Sequence, residues 1–148
     1  MSDYKKVQGI YKSRNILLEL LKNANYNVSD YEGFNINEIN TLIANSQLDM
    51  LIEGNNKVYI KYFVDKSNIK PVNIYEIIED LYNIEKILKK SDNLLIIIKD
   101  EPNESLLKLQ TSIFEQDNIY IDIINIERLQ FNVLNHSIQP NFKVLNED

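Results

Sequence analysis

A chain of 148 residues holds one ordinary domain with a core of its own and is too short for two comfortable ones. Its 44% hydrophobic and 26% charged residues are a globular mixture, and the absence of cysteine excludes a disulfide framework and any thiolate metal site. A net charge of −6, with a pI near 4.9, excludes nucleic-acid binding driven by overall charge, because phosphate neutralisation supplies most of that affinity. Any contact with DNA has to be local.

The first residues lead into an amphipathic stretch without a signal-peptide core, and the longest apolar run, 94–98, is too short to cross a bilayer. An intracellular protein is expected. From residue 3 to 22, Val7, Ile10, Tyr11, Leu17, Leu18 and Leu21 recur at three- and four-residue intervals, which predicts a long helix with one buried stripe and Ser2 or Asp3 as its cap. Asn23, Ala24 and Asn25 end it, and residues 26–28 leave in extended form. A shorter helix over 35–45 follows from Ile36, Ile39, Leu42 and Ile43, with Asn35 and Glu38 spaced as a capping box.

Strands at 48–52 and 57–64 flank Glu53-Gly54-Asn55-Asn56, which has hairpin chemistry and makes Asn55 and Asn56 turn residues. After a loop containing Pro71, the stripe Ile74, Ile77, Ile78, Leu81, Ile84, Ile87 and Leu88 predicts one helix over 73–90. Residues 94–99 read as a strand buried on both faces, 103–114 as a helix and 119–124 as a strand. A helical turn at 126–129 and a last strand at 131–134 close the pattern. This order predicts an α/β domain with a single mixed sheet and helices on both faces.

The last third carries a resemblance. Asn132, His136 and Pro140 stand in Phe131-Asn132-Val133-Leu134-Asn135-His136, followed by Ile138-Gln139-Pro140-Asn141-Phe142. This resembles a segment of the fifth subunit of eukaryotic-type DNA-directed RNA polymerases, an apolar strand followed by Asn-Ile-Thr-x-His and Leu-Val-Pro-x-His. Leu134 takes the place of the family's Thr and Phe142 that of its second His. Asn25 to Val28, the aromatic strand at 57–64 and Asn103-Glu104-Ser105-Leu106 are similar to the family in order and spacing, with Glu104 where the family has Pro.

The resemblance implies a jaw domain over 1–131, then a connector over 132–148 leading toward an assembly domain that this sequence does not contain. It implies a non-catalytic subunit in the nucleus, or in a virion or cytoplasmic viral factory if the source is viral. Its partners would be the largest polymerase subunit, other polymerase subunits and, weakly, downstream duplex DNA. No cofactor, membrane or small molecule is expected. Asn132, His136, Pro140 and Phe142 would form the partner interface, and Asn103, Ser105 and Lys108 would lie near DNA. The alternatives are a free-standing transcription adaptor that keeps the jaw fold and a metal-dependent nuclease of the resolvase-like class.

The family's jaw fold also resembles a degenerate restriction-endonuclease or resolvase-like fold, whose site is an Asp at one strand and an acid-x-Lys on the next. Asp49, Tyr59 and Lys61 occupy those positions here, with Tyr59 where a carboxylate would hold metal. Glu19 on the first helix is a further candidate carboxylate, and it still leaves the site one acid short. The single histidine, His136, has no cysteine or second histidine to complete a metal site and reads as a structural residue. Lys12, Arg14 and Lys22 are expected on the solvated side of the first helix. The helix opening near Ser105 has the geometry of a phosphate site, but Asp100, Glu101 and Glu104 crowd it with negative charge.

Overall fold

The computed structural model describes residues 3–65 and 68–129. In chain order the elements are α1 (Asp3–Asn23), α2 (Ile36–Ala44), β1 (Met50–Ile52), β2 (Val58–Phe63), α3 (Pro71–Ile78), β3 (Asn93–Ile98), α4 (Glu104–Asp117) and β4 (Tyr120–Asn125). A π-helical turn (Glu79–Ile84) extends α3, and a 3-10 turn (Ile126–Leu129) follows β4. The four strands form one sheet in the order β1-β2-β3-β4. β1 and β2 are the antiparallel hairpin, while β2–β3 and β3–β4 are parallel and connected through α3 and α4. The predicted mixed α/β sheet is therefore the observed one, with helices packed on both faces.

The period-two alternation of the strands divides the core. Ile52, Val58, Ile60, Tyr62, Leu95 and Ile97 face α1 and α2 and meet Ile10, Leu17, Leu21 and Ile39. Leu94, Ile96, Ile98, Ile121 and Ile123 face the other way, against Ile74, Ile78, Leu106, Leu109 and Ile113. β3 is buried at all six positions, five of them the apolar run Leu94 to Ile98.

Local chemistry places the ends. α1 stops at Asn23, and Asn25 takes a left-handed conformation (φ 70°) so that Tyr26 N–H returns to the Leu21 carbonyl at 2.9 Å. Asn27 then bridges Glu53 beside the hairpin. The capping box at Asn35 and Glu38 is present, each residue's side chain accepting the other's backbone N–H at 2.8 Å. A Cβ at Gly54 would come within 2.5 Å of Tyr26 Cδ2, so the turn residue is also held by a ring above it. The cap expected of Ser2 and the last strand at 131–134 lie outside the described residues.

One expectation gains a second role and another changes. Asn56 is a bend residue, yet it is only 6% exposed: Tyr26 Oη donates to its Oδ1, and its Nδ2 donates to the Ser91 carbonyl at 3.1 Å. Asp92, also buried, accepts from the backbone of Lys57 and Lys89 at 2.8 and 2.9 Å, tying the start of β2 to the start of β3. These groups are buried because they serve backbone donors and acceptors, which a turn reading of the sequence does not register.

The single helix expected over 73–90 is instead α3, the π-turn and an irregular return. Pro71 itself is its first residue, where a missing N–H costs nothing. The wider π-turn rotates later residues off the α-helical stripe, so Ile84 ends 67% exposed instead of buried. Lys86 adopts φ 55° and ends the run, while Ile87 N–H and Leu88 N–H both reach back to the Leu81 carbonyl.

Among the described residues β1 and β4 are the outer strands, and side chains cap backbone groups on both. Tyr31 Oη donates to the Leu51 carbonyl at 3.1 Å and accepts from Leu51 N–H at 3.2 Å, occupying both groups that edge strand β1 would offer another chain. On β4, Gln110 Oε1 accepts the N–H of Ile123 at 3.1 Å.

Candidate functional site

The hairpin register brings the sequence-selected trio together. Met50 pairs with Ile60 and Leu51 with Tyr59, so one step further along the same ladder sets Asp49 opposite Lys61. Tyr59 and Lys61, two residues apart, share the sheet face toward α3 and α4. Lys61 Nζ lies 3.0 Å from Asp49 Oδ2, and Tyr59 Oη donates to the same oxygen at 3.3 Å. The other oxygen, Oδ1, accepts the backbone N–H of Tyr62 at 3.0 Å. Because β1 begins only at Met50, this carboxylate stands in for a strand carbonyl and extends the ladder by one bond.

Burial pushes the Tyr59 hydroxyl well above its ordinary pKa, and the Asp49, Glu85 and Asp80 carboxylates add to the shift. The phenol is therefore a neutral donor to Asp49 at physiological pH. The constellation is one carboxylate, one ammonium and one phenol, with the carboxylate already holding three donors. Magnesium sites in nucleases and polymerases rest on a carboxylate or two with phosphate and water, and two-metal clamps need more. Among the described residues no group of three His, Asp or Glu side chains is arranged to hold a metal ion. Glu19 does not supply the missing acid: it is exposed on α1, beside Lys22 and Glu32, and α1 covers the opposite face of the sheet.

Asp49 and Lys61 form one end of an open groove of about 1130 Å³ that runs along α3 and the π-turn. Its other wall carries Glu76, Glu79 and Asp80, all exposed, with Val72, Tyr75 and Ile84 between them. Sequence reasoning passed over this wall because the helical stripe was read only for its buried side. The signal was available in Glu76, Glu79 and Asp80, three acids within five residues on the complementary face.

The three residues expected near DNA do share one helix opening. Asn103 is the N-cap of α4 and its Oδ1 accepts Leu106 N–H at 2.9 Å, while Ser105 is exposed. Lys108 lies 3.5 Å from Glu104 Oε2 in an exposed i,i+4 pair, and Glu101 Oε2 accepts from Arg128 Nε at 3.2 Å. The cap uses one backbone donor and Glu104 the nearest cation, so the opening offers phosphate a weaker site than helix geometry alone suggests. Asn132, His136, Pro140 and Phe142 lie outside the described residues.

Arg14 departs from expectation. Lys12 and Lys22 are exposed, the latter 3.4 Å from Glu32, but Arg14 is 2% exposed inside the domain. Its guanidinium sits 4.9 Å from the Phe34 ring centroid and 5.8 Å from that of Tyr31, and Nη2 donates to the Tyr31 carbonyl at 3.2 Å. Nε and Nη1 have no hydrogen-bond partner, and burial holds its pKa below the usual value. The spacing foretold this position: Arg14 follows Ile10 by four residues and precedes Leu17 by three, which puts it on the apolar stripe. Beside it, Ser13 Oγ donates to the Ile10 carbonyl and lies 3.1 Å from the Tyr62 hydroxyl, whose pKa burial pushes up to about 12.

The fold and the trio define a class: a mixed α/β domain whose hairpin holds an Asp–Lys pair beside a groove, with a tyrosine on the strand of the lysine. No protein-family model matches the chain, and no curated protein matches it. The resemblance to the polymerase subunit therefore rests on the residues quoted for it.

Proposed function

We propose that the chain is a non-catalytic, jaw-type subunit of a multisubunit DNA-directed RNA polymerase, built on a nuclease-like scaffold that no longer cleaves. The observation that carries the non-catalytic half is Tyr59. It holds the position of the acid in an acid-x-Lys strand, and its hydroxyl binds the Asp49 oxygen that a metal would need. Lys61 is paired with the same oxygen. Such a trio fixes the end of a hairpin and offers little to a phosphodiester.

The polymerase half is supported by Asn132, His136 and Pro140 at the family's spacing, and by strand and helix order over the rest of the chain. The overall charge of −6 suits a subunit that shapes a path for DNA while its partners hold the phosphates. The largest polymerase subunit is the proposed partner, through the segment 132–142. Co-expression with the largest polymerase subunit of the same source, followed by size-exclusion chromatography, tests this reading. Co-elution that is lost on changing Asn132, His136 and Pro140 together is expected; separate elution would leave the free-standing adaptor.

The Asp49–Lys61 pair at 3.0 Å is the one observation that favours a nuclease of the resolvase-like class. Incubating supercoiled plasmid with the protein and Mg²⁺ or Mn²⁺ separates the two. Nicking that disappears in Lys61→Met would establish the enzyme and remove the non-catalytic reading.

A further inference from the structure

We propose that the groove beside α3 is a docking site for a basic, amphipathic segment of a partner protein, and that it rejects nucleic acid. This goes beyond the polymerase reading and does not depend on it. Of the six large apolar side chains that stand exposed among the described residues, Val72 (56%), Tyr75 (50%) and Ile84 (67%) line this one groove. Val72 and Tyr75 lie three residues apart on α3, and Ile84 reaches the same wall because the π-turn rotates it outward. A π-turn departs from the favoured α-helical geometry, and here it also leaves an isoleucine in water. Neither effect helps the isolated fold, which is the signature of a surface arranged for something else.

Charge selects the occupant. Among the described residues, six carboxylates and three lysines line the groove. Lys6 pairs with Asp65 at 2.6 Å and Lys61 with Asp49 at 3.0 Å. Glu76, Glu79, Asp80 and Asp117 line the same groove with Lys90, so carboxylates outnumber ammonium groups around the apolar anchors. DNA or RNA would meet it with like charge. A second copy brings a net charge of −6 and fares little better. The chain's own residues 130–148 carry one lysine against two acidic side chains and do not supply a basic run. A partner helix or extended segment with apolar residues on one side and Lys or Arg on its flanks satisfies both features, apolar anchors at the centre and complementary charge at the rim.

The test uses the whole chain, isotope-labelled, titrated with a short amphipathic Leu/Lys peptide, its Leu/Glu counterpart and a short DNA duplex. Amide shifts caused by the Leu/Lys peptide should cluster at Val72, Tyr75, Glu79 and Ile84, with neither of the other probes reproducing them. The triple variant Glu76→Lys, Glu79→Lys, Asp80→Lys should bind the Leu/Lys peptide roughly tenfold more weakly and gain affinity for the Leu/Glu peptide. Those three residues are exposed, so an unchanged thermal midpoint is expected and separates lost docking from lost folding. Tyr75→Ala should weaken binding without the charge reversal. Shifts scattered over the surface, an unaltered affinity in the triple variant, or DNA occupying the same residues would each overturn the proposal.

Discussion

Replacing Asp49 by alanine tests whether the Asp49–Tyr59–Lys61 trio is a structural brace. The substitution removes the acceptor for Tyr62 N–H at 3.0 Å, the ion pair with Lys61 at 3.0 Å and the bond from Tyr59 at 3.3 Å. A hydrogen bond from a backbone donor to a charged group contributes about 1.5–3 kcal/mol. The ion pair is a third exposed on both sides and adds only ~0.2–1 kcal/mol after solvent screening. Asp49→Ala should therefore lower the unfolding free energy by about 2–3 kcal/mol. Asp49→Asn keeps an oxygen for Tyr62 and should lose only about 1 kcal/mol. Urea unfolding at neutral pH, followed by circular dichroism, reads both values, with the denaturant slope unchanged if only stability moves. A gain in stability for Asp49→Ala would refute the reasoning. Residues held in place for catalysis commonly strain the fold and stabilise it when removed.

Three further substitutions and conditions give independent checks. Arg14→Met should unfold within about 1 kcal/mol of the parent because the buried guanidinium lacks an anionic partner, whereas Arg14→Ala should lose about 2–4 kcal/mol through the cavity; thermal or urea melts distinguish them. Tyr31→Phe removes both bonds at Leu51, so about 1–2 kcal/mol should be lost and light scattering should reveal self-association through β1. For pH, the folded pKa of Tyr62 is raised to about 12 above an unfolded value of 10.0, so its contribution is complete below pH 10 and is lost as pH climbs toward and through the folded value. The unfolding free energy read from urea melts should fall over that window by about 1.4 kcal/mol per pH unit for this one group, and Tyr62→Phe should flatten the fall.

What the sequence disclosed and what it withheld divide along physical lines. Apolar periodicity located α1, α2, α4 and the strands, because burial of one face is a property of each segment by itself. Hairpin and crossover spacing gave the antiparallel and parallel pairings for the same reason. The same periodicity failed at Glu79–Ile84, where one wider turn, invisible in composition, moved Ile84 from core to surface. It was also misapplied at Arg14, whose charge was given more weight than its place on the stripe.

The candidate site was legible only where local register dictated it. Alternation set Tyr59 and Lys61 on one face, and a short hairpin brought Asp49 to them. The groove was not legible, since Asp49 and Glu76 meet across a space that only the packing of α3 creates. Tyr31 at the sheet edge belongs to the same class: nothing in its neighbours tells which strand it will plug.

The central claim is membership of a polymerase, and purification of tagged, full-length protein from its native cell or virion, with mass spectrometry of the associated proteins, tests it most directly. The account predicts recovery of the two large polymerase subunits in stoichiometric amount. Their absence from a purification that yields intact tagged protein would contradict it and give first place to the free-standing adaptor.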